Sequence, residues 1–145
     1  MIIRDILTVK KDGVIFSVAP DQTIAEAIDL MVKSDIGSLV VHRDGHMTGL
    51  LTERDVLRGI SREGAAGLGR PVSSMMVGEP IFGSPDDTVD YVRGVMTENR
   101  ISHLLVMEGD NLLGVISYHD VAKACLNQAD FENTLLKRYI KHWPE

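Results

Sequence analysis

Cysteine is almost absent. Of 145 residues only Cys125 carries a thiol, so no internal disulfide and no cysteine-based zinc cluster can form. That fits a reducing cytosol. Long apolar runs are also missing: stretches such as Leu39-Val40-Val41 fall far short of the ~20 residues that span a bilayer. The charged start, Met1-Ile2-Ile3-Arg4-Asp5, lacks the apolar region of a signal peptide. Cytoplasmic residence without membrane association is therefore expected. Positive charge is in deficit too. A net charge of −6 argues against a bulk nucleic-acid binder, although a small basic pocket on an acidic body remains compatible with it. The chain is too short for a (β/α)8 barrel, which needs roughly 250 residues.

Catalytic constellations are missing as well. Among the five histidines, only His42 and His46 show an H-x-x-x-H spacing, and they straddle the Asp44-Gly45 turn rather than sharing a helix face. No Ser/His/Asp or Cys/His nucleophile arrangement can be assigned. Asp55 and Asp120 occupy equivalent rather than convergent positions, which gives no support to an acid/base pair. The expectation is a protein that is not an enzyme, with no metal, no catalytic residue and no catalytic cofactor.

What is present is an internal repeat. Sliding the chain by 65 residues lays Pro20–Arg58 on Pro85–Lys123 without a gap, with ten identities in 39 pairs. Average residue usage would give about two. The identities include Thr23/Thr88, Met31/Met96, Leu39/Leu104, Gly49/Gly114 and Asp55/Asp120. Upstream, Ile3-Arg4-Asp5-Ile6-Leu7 resembles Val72-Ser73-Ser74-Met75-Met76, four residues out of register.

The periodicities predict one unit in outline. Val14–Val18 reads as a short strand ended by Pro20. Thr23 caps a helix with Ile24, Ala27, Ile28 and Met31 on one face. Ser38–His42 and Met47–Leu51 form strands joined at Asp44-Gly45. Thr52 opens a second helix, running to about Glu63. The order is βαββα, an α+β fold, with the second copy repeating it around a Gly109-Asp110 turn. Sequence order places the first repeat at 1–66, the second at 67–126 and an amphipathic helix at 127–145, with apolar Phe131, Leu135, Leu136, Tyr139 and Ile140. Units of ~65 residues are too small to be comfortably stable alone, so two should form a single module.

The second strand-to-helix turn is nearly the same in both copies: Gly49-Leu50-Leu51-Thr52-Glu53-Arg54-Asp55 and Gly114-Val115-Ile116-Ser117-Tyr118-His119-Asp120. Two readings stand for it. In one, Thr52 or Ser117 is an N-cap that pairs with Asp55 or Asp120 in a capping box. In the other, a helix N-terminus with a hydroxyl and a carboxylate holds a nucleotide: N–H groups meet phosphate and the carboxylate accepts from ribose hydroxyls. Duplication of the glycine and both polar positions favours the second.

With Pro20-Asp21-Gln22-Thr23-Ile24-Ala25-Glu26-Ala27 and Ile36-Gly37-Ser38-Leu39-Val40-Val41 before the turn, the sequence resembles a tandem cystathionine-β-synthase (CBS) domain pair, or Bateman module. The second copy carries Pro85-Asp86-Asp87-Thr88-Val89 and Arg100-Ile101-Ser102-His103-Leu104-Leu105-Val106 at the same spacing, and the resemblance runs to about Lys123. It implies a regulatory sensor, energy sensing included, that binds adenosine derivatives in clefts between paired repeats: AMP, ADP, ATP or NAD(H), with S-adenosylmethionine behind them. Asp55 and Asp120 would hold ribose hydroxyls, and Thr52 and Ser117 would approach ribose or phosphate. Adenine would lie near Ser17, Ser38 and Leu39 in the first site, and near Phe82, His103 and Leu104 in the second. Lys10, Thr23 and Arg54 complete the first set; Arg100 and His119 complete the second. The resemblance further implies a homodimer formed through exposed helices and a separate regulated protein. The alternative is an interaction or scaffold module with no bound nucleotide.

The copies differ. Arg54, Arg58 and Arg62 recur every fourth residue, a stripe that reads as solvated surface or, at Arg54, as a phosphate contact. Residues 1–70 carry 9 basic and 10 acidic side chains, whereas residues 71–145 carry 6 and 11, so the first half is the less acidic. Gly83 stands where the first copy has Val18, which predicts a wider second cleft or an irregular strand.

Overall fold

The computed structural model describes residues 1–9 and 15–141; Lys10 and Val14 lie outside the described residues. The chain starts with helix α1 (Ile3–Val9). A three-stranded sheet follows, in which β1 (Ser17–Val18) runs parallel to β2 (Ser38–Arg43), and β2 pairs antiparallel with β3 (His46–Thr52). Helices α2 (Ile24–Ser34) and α3 (Glu53–Glu63) complete the first βαββα set. The second set repeats it with β4 (Phe82–Gly83), α4 (Val89–Asn99), β5 (His103–Glu108), β6 (Asn111–Ser117) and α5 (Tyr118–Lys141). This is the α+β architecture that the repeat predicts.

Local chemistry explains the boundaries. The hydroxyls of Thr23 and Thr88 cap α2 and α4 by accepting from the N–H of Glu26 (3.2 Å) and Tyr91 (3.1 Å). Both helices end on a left-handed residue, Asp35 (φ 52°) and Arg100 (φ 53°), whose N–H reaches back to the last-turn carbonyls. Asp44 and Gly45 both take positive φ (51° and 78°), as a two-residue type I′ hairpin requires. At the second hairpin only Gly109 does so (φ 62°), the pattern of a type II′ turn. Each hairpin shifts register at the same repeat position, Val41/His42 and Val106/Met107. Of the expected strand Val14–Val18, Ile15 and Phe16 lie outside β1 and Val14 lies outside the described residues. As an edge strand with one neighbour, β1 pairs regularly only opposite Val40 and Val41, and the Phe16 carbonyl adds a single bond from the Val40 N–H (3.1 Å).

The packing divides into two compact units, Val14–Ile81 and Met1–Gly13 with Phe82–Glu145. Ile24, Met31, Leu39, Val41, Leu51 and Val56 build the core of the first; Val89, Met96, Leu104, Val106, Ile116 and Val121 build the other from the same repeat positions. Burial of each such side chain is worth about 1.5–3 kcal/mol.

The leading segments are exchanged. α1 opens the chain, yet it packs on the second set: Ile3 is in the core with Val89, its N–H donates to Asp87 O (3.0 Å), and Val89 N–H donates to Met1 O (3.1 Å). Residues 70–76, which precede the second set, make the equivalent bonds to the first. Val72 N–H donates to Gln22 O (2.8 Å), and Ile24 N–H to Arg70 O (2.9 Å). The faint likeness of Ile3–Leu7 to Val72–Met76 thus marks two segments with one job. Arg4 further ties α1 to Asp86 (3.3 Å) and Glu108 (2.9 Å). The hydrogen bonds it donates to Glu108 and then to Asp86 raise its pKa above the ordinary value.

The expected C-terminal helix is not a separate element. α5 runs unbroken for 24 residues from the turn itself. Phe131, Leu135, Leu136 and Ile140 on its second half are exposed.

Candidate functional site

In the first unit, the register sets Ser38 directly opposite Thr52, so the start of β2 and the end of β3 meet where α3 begins. The Glu53 N–H then donates to Gly37 O (3.1 Å), closing the turn onto the strand before it. Thr52 caps α3 in a complete capping box. Asp55 Oδ2 accepts from the Thr52 N–H (2.9 Å) and hydroxyl (2.9 Å), while the Asp55 N–H donates to Thr52 Oγ1 (3.3 Å). Both bonds fall on Oδ2, and Oδ1 has no donor among the described residues. The cap and an outside ligand therefore use different oxygens. The two readings of the turn are compatible.

The second unit repeats the geometry. His103 lies opposite Ser117, and the Tyr118 N–H donates to Ser102 O (2.7 Å). Asp120 Oδ2 accepts from the Ser117 N–H (2.8 Å), and the Asp120 N–H donates to Ser117 Oγ (3.0 Å).

The turn glycines have a packing reason. A Cβ on Gly49 would stand 2.6 Å from the backbone oxygen of Val77 and 2.9 Å from Met76 Sδ. Next to it, Leu50 and Val77 exchange backbone bonds of 3.0 and 2.9 Å. At Gly114 the corresponding Cβ would meet Leu7 Cδ2 at 3.0 Å. Each glycine lets one exchanged segment approach the strand that feeds the turn.

The remaining expected residues divide. Arg54, the second residue of α3, is exposed, and neither it nor Arg58 has an ion-pair partner among the described residues. Arg62 and Arg70, by contrast, lie 3.8 and 3.4 Å from the carboxylate of Glu63. Leu39 and Leu104 are buried in the two cores, so they can offer a ligand only backbone groups. Ser17 stands one strand over, opposite Val40, with its hydroxyl 3.0 Å from His42 Nε2. Thr23 is not brought to the turn. It follows the far end of β1, where Asp21 and Arg43 approach to 4.0 Å, and its hydroxyl is engaged in capping α2. In the second unit His119 is exposed at the start of α5, Phe82 is exposed on β4, and Arg100 sits at the left-handed end of α4. Lys10 lies outside the described residues.

Two contacts were missed by sequence reasoning. His42 holds Ser17, and Ser102 Oγ lies 3.0 Å from His103 Nδ1. Only the pairing register could have revealed the first; the second was visible as chain adjacency. The expectation at Gly83 is corrected. β4 pairs regularly with β5, and Leu104 Cδ2 stands 3.0 Å from where a Cβ would be, so the missing side chain leaves no widened space there. A separate groove of about 520 Å³ lies between α2 and α3, walled by Met31, Val32, Ile36, Val56 and Leu57 with Asp35 and Glu53. It includes none of Ser38, Thr52 or Asp55. No group of metal-binding side chains occurs among the described residues.

Two βαββα units, each with a Gly-x-x-[Ser/Thr]-x-x-Asp turn closed onto its own sheet, define a tandem-repeat module. The chain belongs to the CBS domain family, whose profile matches residues 3–62 and 72–127. It is 30% identical over 120 residues to the CBS domain-containing protein YhcV of Bacillus subtilis, covering 83% of this chain and 82% of that protein. The crystal structure of a CBS-domain containing protein from Agrobacterium tumefaciens, 35% identical, superposes with a TM-score of 0.81 over 85% of this chain and 92% of that one. The CBS domain pair of protein MJ0100, solved in complex with 5′-methylthioadenosine and S-adenosyl-L-methionine, shares the fold at 19% identity. Its TM-score is 0.76, with 88% of this chain and 98% of that one covered. The chain is a CBS pair.

Proposed function

We propose that this CBS pair is a sensor of adenosine-containing nucleotides, with AMP, ADP, ATP and NAD(H) as the candidate ligands. The observation that carries the reading is the Asp55 carboxylate. It sits on a helix N-terminus with one oxygen in the capping box and the other without a donor among the described residues. A carboxylate fixed in this way can accept from vicinal ribose hydroxyls without reorganising. Thr52 and Ser38 lie beside it. Arg54 supplies a phosphate partner at the positive end of α3, where anions are favoured. In the second unit Asp120, Ser117 and His103 take the corresponding roles, with His119 in place of the arginine. That a CBS pair of the same fold holds two adenosyl compounds supports the choice of nucleoside.

The module acts in the cytoplasm as a homodimer that associates on the apolar face of α2 and α3, and it passes its state to a separate regulated protein. Among the described residues no helix is long and apolar enough to cross a membrane. Native mass spectrometry of the purified protein, followed by calorimetric titration with AMP, ADP, ATP and NAD, tests the reading. Binding of at least one of them is expected. Absence of heat and of any adduct with all four would favour a scaffold with empty sites.

A further inference from the structure

The second half of α5 carries a seam that the nucleotide reading does not use. Leu126, Ala129, Asn133, Leu136 and Ile140 follow one another at spacings of three and four, the a/d pattern of a coiled coil, and all five are exposed. The helix is already formed and anchored, because Val121 and Ala124 in its first half are buried in the core of their unit. With Leu126, Asn133 and Ile140 at a, and Ala129 and Leu136 at d, Glu132 falls at g and Lys137 at the following e. Neither Glu132 nor Lys137 has an ion-pair partner among the described residues.

We propose that two copies of this chain pair through these seams as a parallel two-stranded coil. Parallel pairing sets Glu132 of each copy against Lys137 of the other, giving two matched ion pairs. An antiparallel arrangement would also match charge, through Asp130 and Lys137, so charge alone does not choose. Asn133 does. In parallel register its amide meets the Asn133 amide of the second copy, and each can donate to the other. In antiparallel register it would face Leu136 and lose its partner. A branched residue at a with leucine at d, as at Ile140 and Leu136, favours two strands.

Sedimentation equilibrium of the full chain tests this. In a Val32→Glu, Leu57→Glu background that removes the α2/α3 contact, Leu136→Glu with Ile140→Glu should bring the associated mass down to that of the monomer while far-UV circular dichroism stays native. Phe131→Glu with Leu135→Glu, off the seam, should leave the mass unchanged. Asn133→Leu should tighten association about tenfold, because a polar a-position residue costs stability. In a Cys125→Ser background, Asn133→Cys should form a disulfide with its own counterpart. The proposal fails if, in that background, the Leu136/Ile140 variant leaves the mass unchanged, or if the Phe131/Leu135 variant lowers it instead. It also fails if cysteines at 129 and 140 cross-link in preference to 133 with 133. Val32→Glu with Leu57→Glu probes the α2/α3 face separately, so the two interfaces can fail independently.

Discussion

Asp55 has two jobs in this account, and two substitutions separate them. Asp55→Ala removes the acceptor for both 2.9 Å bonds from Thr52 and abolishes the capping box. Loss of an N-terminal cap costs about 0.5–2 kcal/mol, and because both residues are half-buried, water replaces only part of it. At roughly 2–4 °C per kcal/mol for a chain of this size, Tm should fall by about 1–8 °C. Asp55→Asn keeps an acceptor oxygen and loses only the charge at the helix start, about 0.3–1 kcal/mol. Binding should respond differently. Hydrogen bonds to a charged group contribute about 1.5–3 kcal/mol, so Asp55→Ala should weaken AMP by about 10–150-fold. Asp55→Asn should weaken it about tenfold while remaining nearly as stable as wild type, since charge assistance roughly doubles such bonds. Calorimetric titration with AMP and thermal unfolding without it provide the two readouts. If Asp55→Asn binds AMP as the wild type does, the residue is only a cap and the reasoning is wrong.

Other expectations arise from the packing and the charge distribution. Gly49→Ala should destabilise by about 1–3 kcal/mol, because its Cβ meets the backbone oxygen of Val77 at 2.6 Å. Gly114→Ala should cost less, since it meets only the tip of Leu7; denaturant unfolding that ranks them in the opposite order would contradict the exchanged-segment packing. Leu39→Ala, fully buried in the first core, should cost about 2–5 kcal/mol. Arg54→Ala with Arg58→Ala should leave unfolding unchanged, since neither arginine has an ion-pair partner among the described residues. It should weaken ATP more than AMP, and titrations showing equal loss for adenosine and ATP would remove phosphate from their role.

Much of the fold was legible because repeat identities coincide with packing. Met31/Met96, Leu39/Leu104 and Val41/Val106 reappear as the interiors of two separate cores. Thr23, Thr88 and Thr52 were readable as caps because hydroxyls before apolar helical stripes have few other uses. The exchange of α1 with residues 70–76 was not legible: chain adjacency suggests that a segment packs on the next elements in sequence, and hydrogen bonds to Asp87 and Gln22 decide otherwise. The left-handed ends at Asp35 and Arg100 carry no glycine to announce them. In the site, Asp55 and Ser38 could be paired from the motif, but Thr23 could not be separated from them until the strand register set it at the opposite end of β2. The capping box and the nucleotide reading looked like rivals in sequence. The distribution of bonds between two oxygens of one carboxylate removed the conflict.

The central claim is recognition of the adenosine moiety, and denaturant unfolding with matched adenosine and guanosine nucleotides tests it most directly. At 100-fold its dissociation constant, a true ligand stabilises the folded state by about 2.7 kcal/mol. That shift is expected from at least one of AMP, ADP, ATP or NAD and from none of the guanosine counterparts. Equal shifts from both bases, or no shift from any adenosine compound, would contradict the claim.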